Sequence, residues 1–487
     1  MDKQKIYGIE IDEAAVRGGE RRILDAAFLE NDYVVGDRFQ KNGGKNDFDD
    51  AYPFGAMQLC CLRLADGKKE VVLEGEPGFD RSGKSGNVMV RIPKFYSRRE
   101  KEGMLERWMV SGTCHEGFSI EPCFLRDGKE LDYIYVGAYN SCAKGNGVYS
   151  STDSIPDTMI SISDFEQTYA ADGYEPYDFA MMLCLQKLCV IELGTRQLKS
   201  VLGGVCMMKY FSKVTPGNCI TDLGKNRISM RFSAKGRNEY FAPGHDIGFG
   251  RKSKSYAHRR MVSAVQKNPE HADWVDIFYD GEDLSEQLVV GEDAAYGIPQ
   301  RNGKTDQLTY HTGRCDLQAP FAGEVTPLLC PFRYRNIENL WGNVWEYVSG
   351  LQLQALTFWY TFDPALYAES SALWQAHPIP APEQHLLPDL DPDGPHWISQ
   401  LSFDPENPLV ALPSGVESGV LGDYYDAVLN AYKDTDYSDK PIDPDRTYTT
   451  ATGGAWDHKF ASVFLYRCFL GRSSENWLYS NRLCLRK

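Results

Sequence analysis

The residue types that support catalysis or metal binding are thinly spread along this chain of 487 residues. Its nine histidines form neither an H-x-x-x-H nor an H-E-x-x-H motif, and no C-x-x-C pair occurs, so the usual zinc-binding patterns are missing. The serine-hydrolase motif G-x-S-x-G is missing too. Alternating carboxylates at 389–395 are similar to a calcium loop, but a distal glutamate is lacking and proline interrupts the run. We therefore expect no catalytic residue, no metal and no cofactor.

The segment VFLYRCF at 463–469 has the character of a contact surface. Side chains alternate along a strand, so this segment has two faces. The face expected to enter the core carries Phe464, Tyr466 and Cys468. The face expected to point outwards carries Leu465, Arg467 and Phe469. Exposed apolar and aromatic side chains beside an arginine are typical of a binding surface, although burial of both faces, as in a central strand, is the alternative.

The composition is that of a folded, acidic protein. Hydrophobic residues make up 42% of the chain and aromatic residues 12%, against 25% charged residues, which provides enough apolar surface for a substantial core. The 52 lysines and arginines and the 68 aspartates and glutamates give a net charge of −16. Because this charge repels phosphates and anionic lipids, we expect no nucleic-acid partner.

The N-terminus and the hydropathy pattern bear on location. The chain begins with lysines but without the apolar run of a secretory signal, and no stretch approaches the ~18 consecutive apolar residues of a membrane span. We expect synthesis in a cytoplasm without a signal peptide, and no insertion into a membrane. The odd count of 13 cysteines, with Cys60 next to Cys61, argues against a complete disulfide framework.

Short strands separated by Gly, Asp, Asn and Pro make up most of the chain, and two helices interrupt them. The first helix is expected from a capping Ser163, with Glu166 three residues later, to Gly173. The second is expected from Pro176 to Gly194, with a wide apolar face. We therefore predict an α+β fold in which two helices flank twisted antiparallel sheets.

A change of composition after the helices predicts an inserted module. Hairpin-like sequences fill 206–305, which we expect to be a small β module. The flanking parts, 35–205 and 306–487, are expected to form one domain together, and 1–34 is expected to be an N-terminal β segment used in assembly. The C-terminal part would carry the ligand-binding region.

Several motifs carry a resemblance to a known family. NLWGNVWEYVSG at 339–350, followed by GGAWD at 453–457, YRCFLGRS at 466–473 and NRLCL at 481–485, is similar to the C-type-lectin-like fold. Formylglycine-generating enzyme and phage tail-fibre receptor-binding proteins share that fold, including variable proteins diversified by retroelements. IYGIEID, GNVMVRIPKFYSRREKEG and LTYHTGRCDLQAP also resemble such tail proteins from phages of gut bacteria. The resemblance covers most of the chain, except the insertion and parts of 351–445.

The resemblance implies a host-binding protein of the virion tail rather than an enzyme. Its partners would be a bacterial-surface protein or glycan and other tail proteins, and tail fibres of this family are homotrimers. In the diversified members, C-terminal strands and loops carry variable ligand-contacting positions, and most residues of the corresponding region here fit the alphabet that adenine-directed mutation produces. The expected contact residues, forming one exposed patch, are Asp457, His458, Phe460, Leu465, Arg467, Phe469, Leu470, Ser474, Asn476 and Trp477.

Two alternatives stay open at this point. A formylglycine-generating copper thiol oxidase has the same fold, but its two copper-binding cysteines would fall on His458 and Val463, and neither supplies the thiolate that copper(I) needs. That mismatch favours the tail protein. An ordinary tail adhesin without diversification stays the second alternative, because diversification is seen only as variation between copies of the gene.

Overall fold

The computed structural model describes most of the chain. The described residues are 1–12, 20–24, 47–66, 68–144, 147–196, 198–204, 214–231, 241–252, 257–315, 331–355, 357–368, 373–380, 396–418, 429–431, 447–454, 462–464 and 466–487.

β-Structure dominates the fold, so the predicted α+β class with two flanking helices is wrong. Strands account for 41% of the structure and helices for 12%, and the described residues form eight sheets. The reason lies in the many short β-branched and aromatic segments bounded by turn residues, since each of them adds a strand. The helices are minor elements between these sheets.

Two sheets are built largely from the first third of the chain. The strand order of the N-terminal sheet is Glu20–Leu24, Ile6–Asp12, Leu105–Ser111, Tyr96–Glu102 and Ser119–Ile120. The strand order of the central sheet is Glu175–Pro176, Leu483–Leu485, Tyr133–Gly137, Asn87–Pro93, Gln58–Ala65 and Lys68–Leu73. The last strand of the chain thus lies in the central sheet, antiparallel to Tyr133–Gly137.

Two further large sheets follow. The strand order of the insert sheet is Ile220–Gly224, Arg227–Arg231, Trp274–Tyr279, His258–Lys267, Asp246–Gly250 and Ala294–Gly297. The strand order of the C-terminal sheet is Gln375–Ala376, Thr357–Tyr360, Trp345–Gln354, Thr447–Thr452, Tyr466–Leu470 and Leu429–Ala431, with Tyr479–Ser480 parallel to Trp345–Gln354. The insert sheet falls within the predicted β module, and its apolar side chains form a separate core cluster.

The remaining sheets are small. A three-stranded sheet consists of Gly313–Arg314, Phe332–Tyr334 and Ile337–Glu338. The two-stranded sheets pair Leu125–Arg126 with Lys129–Glu130, Cys142–Lys144 with Gly147–Tyr149, and His396–Phe403 with Ala411–Ser418.

The described residues contain three α-helices: α1 at Ile162–Ala171, α2 at Phe179–Leu193 and α3 at Leu198–Leu202. Ser161, two residues before the expected cap, accepts a hydrogen bond from the Asp164 amide at 3.2 Å. Asp178 caps α2, so this helix begins after Pro176 rather than at it. It ends at Gly194, as predicted, in the left-handed conformation that glycine favours. None of the helices in the described ranges is long and apolar enough to span a membrane.

The C-terminal sheet has a core on each side. On one side, Val348 and Tyr466 belong to the large cluster that surrounds α2, whose residues are all buried. On the other side, Tyr347 and Leu470 belong to a second cluster that includes side chains of α1. A strand between two cores must be apolar on both faces, so this sheet is a central layer of the molecule.

The motif NLWGNVWEYVSG connects these parts through its polar groups. The Trp341 indole donates to the Gly203 carbonyl at 2.7 Å after α3. Asn343 exchanges two hydrogen bonds with the backbone of Gln300, at 2.9 and 3.0 Å, where the chain leaves the insert sheet. Trp345 is buried in the second core. These residues of the motif therefore have a structural role.

Candidate functional site

The predicted contact residues divide into three groups in the structure. Four lie outside the described residues: Asp457, His458, Phe460 and Leu465. Phe469 belongs to the strand Tyr466–Leu470, but its side chain lies outside the described part as well. The remaining five, which the structure describes, are Arg467, Leu470, Ser474, Asn476 and Trp477.

The predicted inward face of this strand is confirmed. Phe464, Tyr466 and Cys468 are fully buried in the large core. The Gln186 side chain of α2 donates to the Tyr466 hydroxyl at 3.1 Å, which satisfies a polar group that would otherwise be costly to bury. Burial raises the pKa of Tyr466 and that of the Cys468 thiol to about 12. Both side chains are therefore neutral parts of the core at physiological pH.

Two members of the predicted exposed patch are buried, so that part of the prediction is wrong. Leu470 is only 4% exposed and Trp477 only 5%, and both pack in the second core. The register with the neighbouring strand shifts between Thr449 and Thr450, which leaves one extra residue after Cys468. Such a bulge breaks the strict alternation of side chains. Leu470 therefore faces the second core instead of following Cys468 into the first one.

Arg467 lies at the edge of the second core and is half-buried. Its guanidinium carbon is 5.1 Å from the ring centre of Trp345 and 5.8 Å from that of Tyr479. These two rings stack on each other with their centres 5.9 Å apart and an angle of 14° between them. A cation over stacked aromatic faces is held by their electron-rich surfaces. Arg467 thus has a defined position although part of it reaches solvent.

The segment 471–478 follows this strand and is held by hydrogen bonds that its backbone carbonyls accept from other parts of the chain. Its Asn476 carbonyl accepts from the Met159 amide at 3.1 Å. Its Ser474 carbonyl accepts from the Tyr347 hydroxyl at 3.2 Å. The side chains of Ser474 and Asn476 stay half-buried. Both contacts hold a polar loop on the second core.

A largely buried carboxylate ties the same segment to α1. Glu166 forms an ion pair with Arg472, and it accepts a hydrogen bond from the Ser349 hydroxyl at 2.7 Å. Burial raises the pKa of Glu166, and the positive charge of Arg472 opposes that shift. The sequence indicated that Glu166 belongs to the N-terminal cap of the first helix. Its contact with Arg472, 306 positions further along the chain, was therefore missed. No local pattern could have indicated it, because the pairing depends on how the chain folds back.

Arg467, Ser474 and Asn476 form the described part of what we call the C-terminal surface, together with the backbone of 471–478. They offer a cation, a hydroxyl and an amide on a base of packed aromatic rings. These groups suit recognition by hydrogen bonds and by contact with a flat apolar surface.

Within the described ranges, no cluster of three or more His, Cys, Asp and Glu residues could hold a metal ion. Neither a protein-family model nor a curated protein matches this sequence.

Proposed function

We propose that this protein is a receptor-binding adhesin of a phage tail, and that its C-terminal surface recognises a ligand on the bacterial cell. The observation that carries the proposal is the position of Arg467, half-buried and stacked over Trp345 and Tyr479. Arginine and aromatic side chains dominate the energetic centres of protein interfaces. The motif resemblance described above independently assigns ligand contact to this part of the chain.

The construction of the C-terminal surface also favours binding. Association is weakened when side chains and loops must be ordered on contact. Here the segment 471–478 is already ordered by its hydrogen bonds to Met159 and Tyr347 and by the Arg472–Glu166 ion pair. A ligand would therefore meet a surface whose shape is set before binding.

The proposed ligand is a protein or glycan of the bacterial surface, and the proposed place of action is the virion tail. A homotrimer that engages several copies of a ligand would turn a weak single contact into firm adhesion. Other tail proteins would hold it in the particle. We propose no catalytic role and no cofactor.

A copper thiol oxidase is the alternative that the fold resemblance raises. One of the positions where that enzyme has a copper-binding cysteine is occupied here by Val463, which is buried. The nearby Cys468 cannot readily replace it, since burial raises the pKa of its thiol to about 12 and copper(I) binds the thiolate. Formation of formylglycine from a cysteine-containing sulfatase peptide, with copper added, would support the oxidase instead.

The test of the adhesin proposal is cell binding by the fluorescently labelled full-length protein. Flow cytometry against a panel of intact gut-bacterial isolates should identify strains that the wild-type protein binds. On those strains, Arg467→Ala should reduce binding at least about tenfold, since arginine anchors often contribute ~2 kcal/mol or more. Folding should be nearly unchanged, because a cation–π contact that still reaches solvent contributes only about 0.5–1 kcal/mol.

Arg91→Ala is the matched control for this experiment. Arg91 is also half-buried, and its guanidinium lies 4.5 Å from the ring centre of Tyr133, in the central sheet. This variant should bind the same strains like the wild type. Equal binding by the Arg467 and Arg91 variants would contradict the assigned surface.

A further inference from the structure

A polar pocket of about 510 Å³ lies between 49–59, 73–81, 308–311 and 333–336. This volume is within the ~300–1,000 Å³ typical of small-molecule sites. The lining contains three arginines, two carboxylates and one histidine: Arg81, Arg333, Arg335, Asp49, Glu74 and His311. None of them belongs to the C-terminal surface.

Each carboxylate in the pocket lining is already paired with an arginine. The Glu74 carboxylate lies 2.7 Å from Arg81. The Asp49 carboxylate lies 2.9 Å from Arg335 and 2.6 Å from the His311 ring. Arg333 is therefore the one arginine of this lining that has no carboxylate partner in it.

Arg333 is a buried cation whose hydrogen bonds, within the described residues, go only to neutral groups. It lies in the strand Phe332–Tyr334 and is 3% exposed. Its Nε donates to the Tyr310 carbonyl at 2.9 Å, and one terminal nitrogen donates to the Leu308 carbonyl at 2.7 Å. The other terminal nitrogen, Nη1, has no hydrogen-bond partner among the described residues.

Other buried arginines of the structure show what is unusual about Arg333. Arg335, two residues further on, lies 2.5 Å from the Glu192 carboxylate. Arg482 and Arg99 are likewise paired with carboxylates, at 2.6 and 2.5 Å. No ion pair of Arg333 occurs within the described ranges. A charge without an ion-pair partner is costly to bury.

We propose that this pocket binds a small ligand through an oxyanion group, a carboxylate or a phosphate, held by Arg333. A charge-assisted hydrogen bond from Nη1 would satisfy the donor that lacks a partner and compensate the buried charge. Burial and the positive charge of Arg81 lower the pKa of Arg333, while the carboxylates of Asp306 and Glu74 oppose that shift without cancelling it. A bound anion would oppose it further. This inference is independent of the proposed adhesin function.

Tyr310 indicates that the ligand also has a non-ionic part. It lines the pocket, is 39% exposed, and contributes through its carbonyl to fixing Arg333. An exposed aromatic ring beside a buried cation provides a flat apolar contact next to the anion site. The ligand class is therefore an oxyanion carried on a body of about the size of a sugar, as the pocket volume allows.

The test is calorimetric titration of the full-length protein with three probes. Sodium glucuronate carries a carboxylate, glucose 1-phosphate carries a phosphate, and glucose carries neither. At least one of the two anions should bind at millimolar concentration or below, and the tighter one identifies the oxyanion. Glucose should bind at least about tenfold more weakly, since charge-assisted hydrogen bonds are roughly twice as strong as neutral ones. Failure of both anions to bind, or equal binding of glucose, would overturn the proposal.

Variants locate the binding in the pocket. Arg333→Met should weaken binding of the anion at least about tenfold.

Arg333 also donates to two backbone carbonyls, so its replacement could disturb the local fold. Tyr310→Ala therefore provides a second test at a more exposed position. It should weaken binding roughly threefold to tenfold. Tyr133→Ala is the matched control, since Tyr133 is also 39% exposed but lines a different pocket. Equal affinities of the Tyr310 and Tyr133 variants would contradict the assigned site.

Discussion

Single buried charges join segments that are far apart in the sequence. Glu346, in the tryptophan-rich motif, accepts hydrogen bonds from Arg482 at 2.6 and 3.0 Å and from Asn140 at 2.5 Å. Arg482 donates to the Gly137 carbonyl as well. Three parts of the chain thus meet at one carboxylate, close to the strands that support the C-terminal surface.

Loss of that carboxylate should destabilise the protein strongly. Glu346→Ala leaves the fully buried Arg482 without its ion-pair partner, and breaking a buried pair in this way costs ~3–5 kcal/mol. The free energy of unfolding from denaturant titration measures the effect. Glu70→Ala is the control, because the Arg63–Glu70 pair is well exposed and should contribute only ~0–1 kcal/mol. Similar losses in both variants would show that the buried pair has no special role.

Residue by residue, only part of the candidate site could be predicted from the sequence. Strand alternation correctly placed Phe464, Tyr466 and Cys468 in the core. It could not indicate the burial of Trp477, because the second core is assembled from α1 and from strands more than a hundred residues away. The pocket around Arg333 was missed for the same reason, since its lining comes from four separate segments.

At the scale of elements, the insert sheet is tied to the rest of the molecule by the segment that follows it. Asp246, in an insert strand, is bridged to Arg301 by a contact of 2.6 Å. Gln300 pairs with Asn343 of the tryptophan-rich motif. The Asn302 side chain donates to the Asn140 carbonyl at 2.8 Å. The segment 300–302, which follows the insert sheet, therefore fixes the position of the inserted module relative to the rest of the molecule.

The Asp246 carboxylate should make stability depend on pH. Burial opposes its ionisation, but the hydrogen bonds from Arg301 and the charge of Lys304 hold the pKa of Asp246 below its ordinary value of 3.8. A lowered pKa in the folded state stabilises the protein above the unfolded-state pKa of about 3.9, and this contribution is lost as the pH falls through the folded-state value. Asp246→Asn should therefore lower the melting temperature at neutral pH.

The difference between wild type and Asp246→Asn should shrink as the pH is lowered below about 4. Thermal unfolding followed by circular dichroism across this range gives the comparison. Asp280→Asn, at an exposed position after the insert strand Trp274–Tyr279, should have little effect at any pH. A difference at Asp246 that does not vary with pH would mean that its charge is irrelevant to stability.

The elements themselves were partly predictable. The largely apolar sequence of α2 indicated a helix, and Gly194 indicated its end, but the true N-caps of α1 and α2 are Ser161 and Asp178. Several polar residues near each start are acceptable caps, so local sequence cannot select one of them. The predicted α+β class was wrong because it was based on two clear helices. The many short strands were underestimated, since their pairing depends on residues far apart in the sequence.

At the scale of the whole molecule, we expect a homotrimer. The expectation rests on the family resemblance and on the gain in avidity when several weak sites act together. Light scattering coupled to size-exclusion chromatography should give about three times the chain mass of 54.9 kDa at micromolar concentration. A mass that stays at 54.9 kDa over that range would rule out a stable trimer of this chain.

The assignment of ligand contact to the C-terminal surface is tested most directly by hydrogen–deuterium exchange. The full-length protein would be compared free and bound to envelope vesicles of a bacterial strain that it recognises. We predict that the vesicles slow exchange most strongly within 466–480, around Arg467, Ser474 and Asn476. Protection confined to other regions, with exchange in 466–480 unchanged while the protein is bound, would contradict the account.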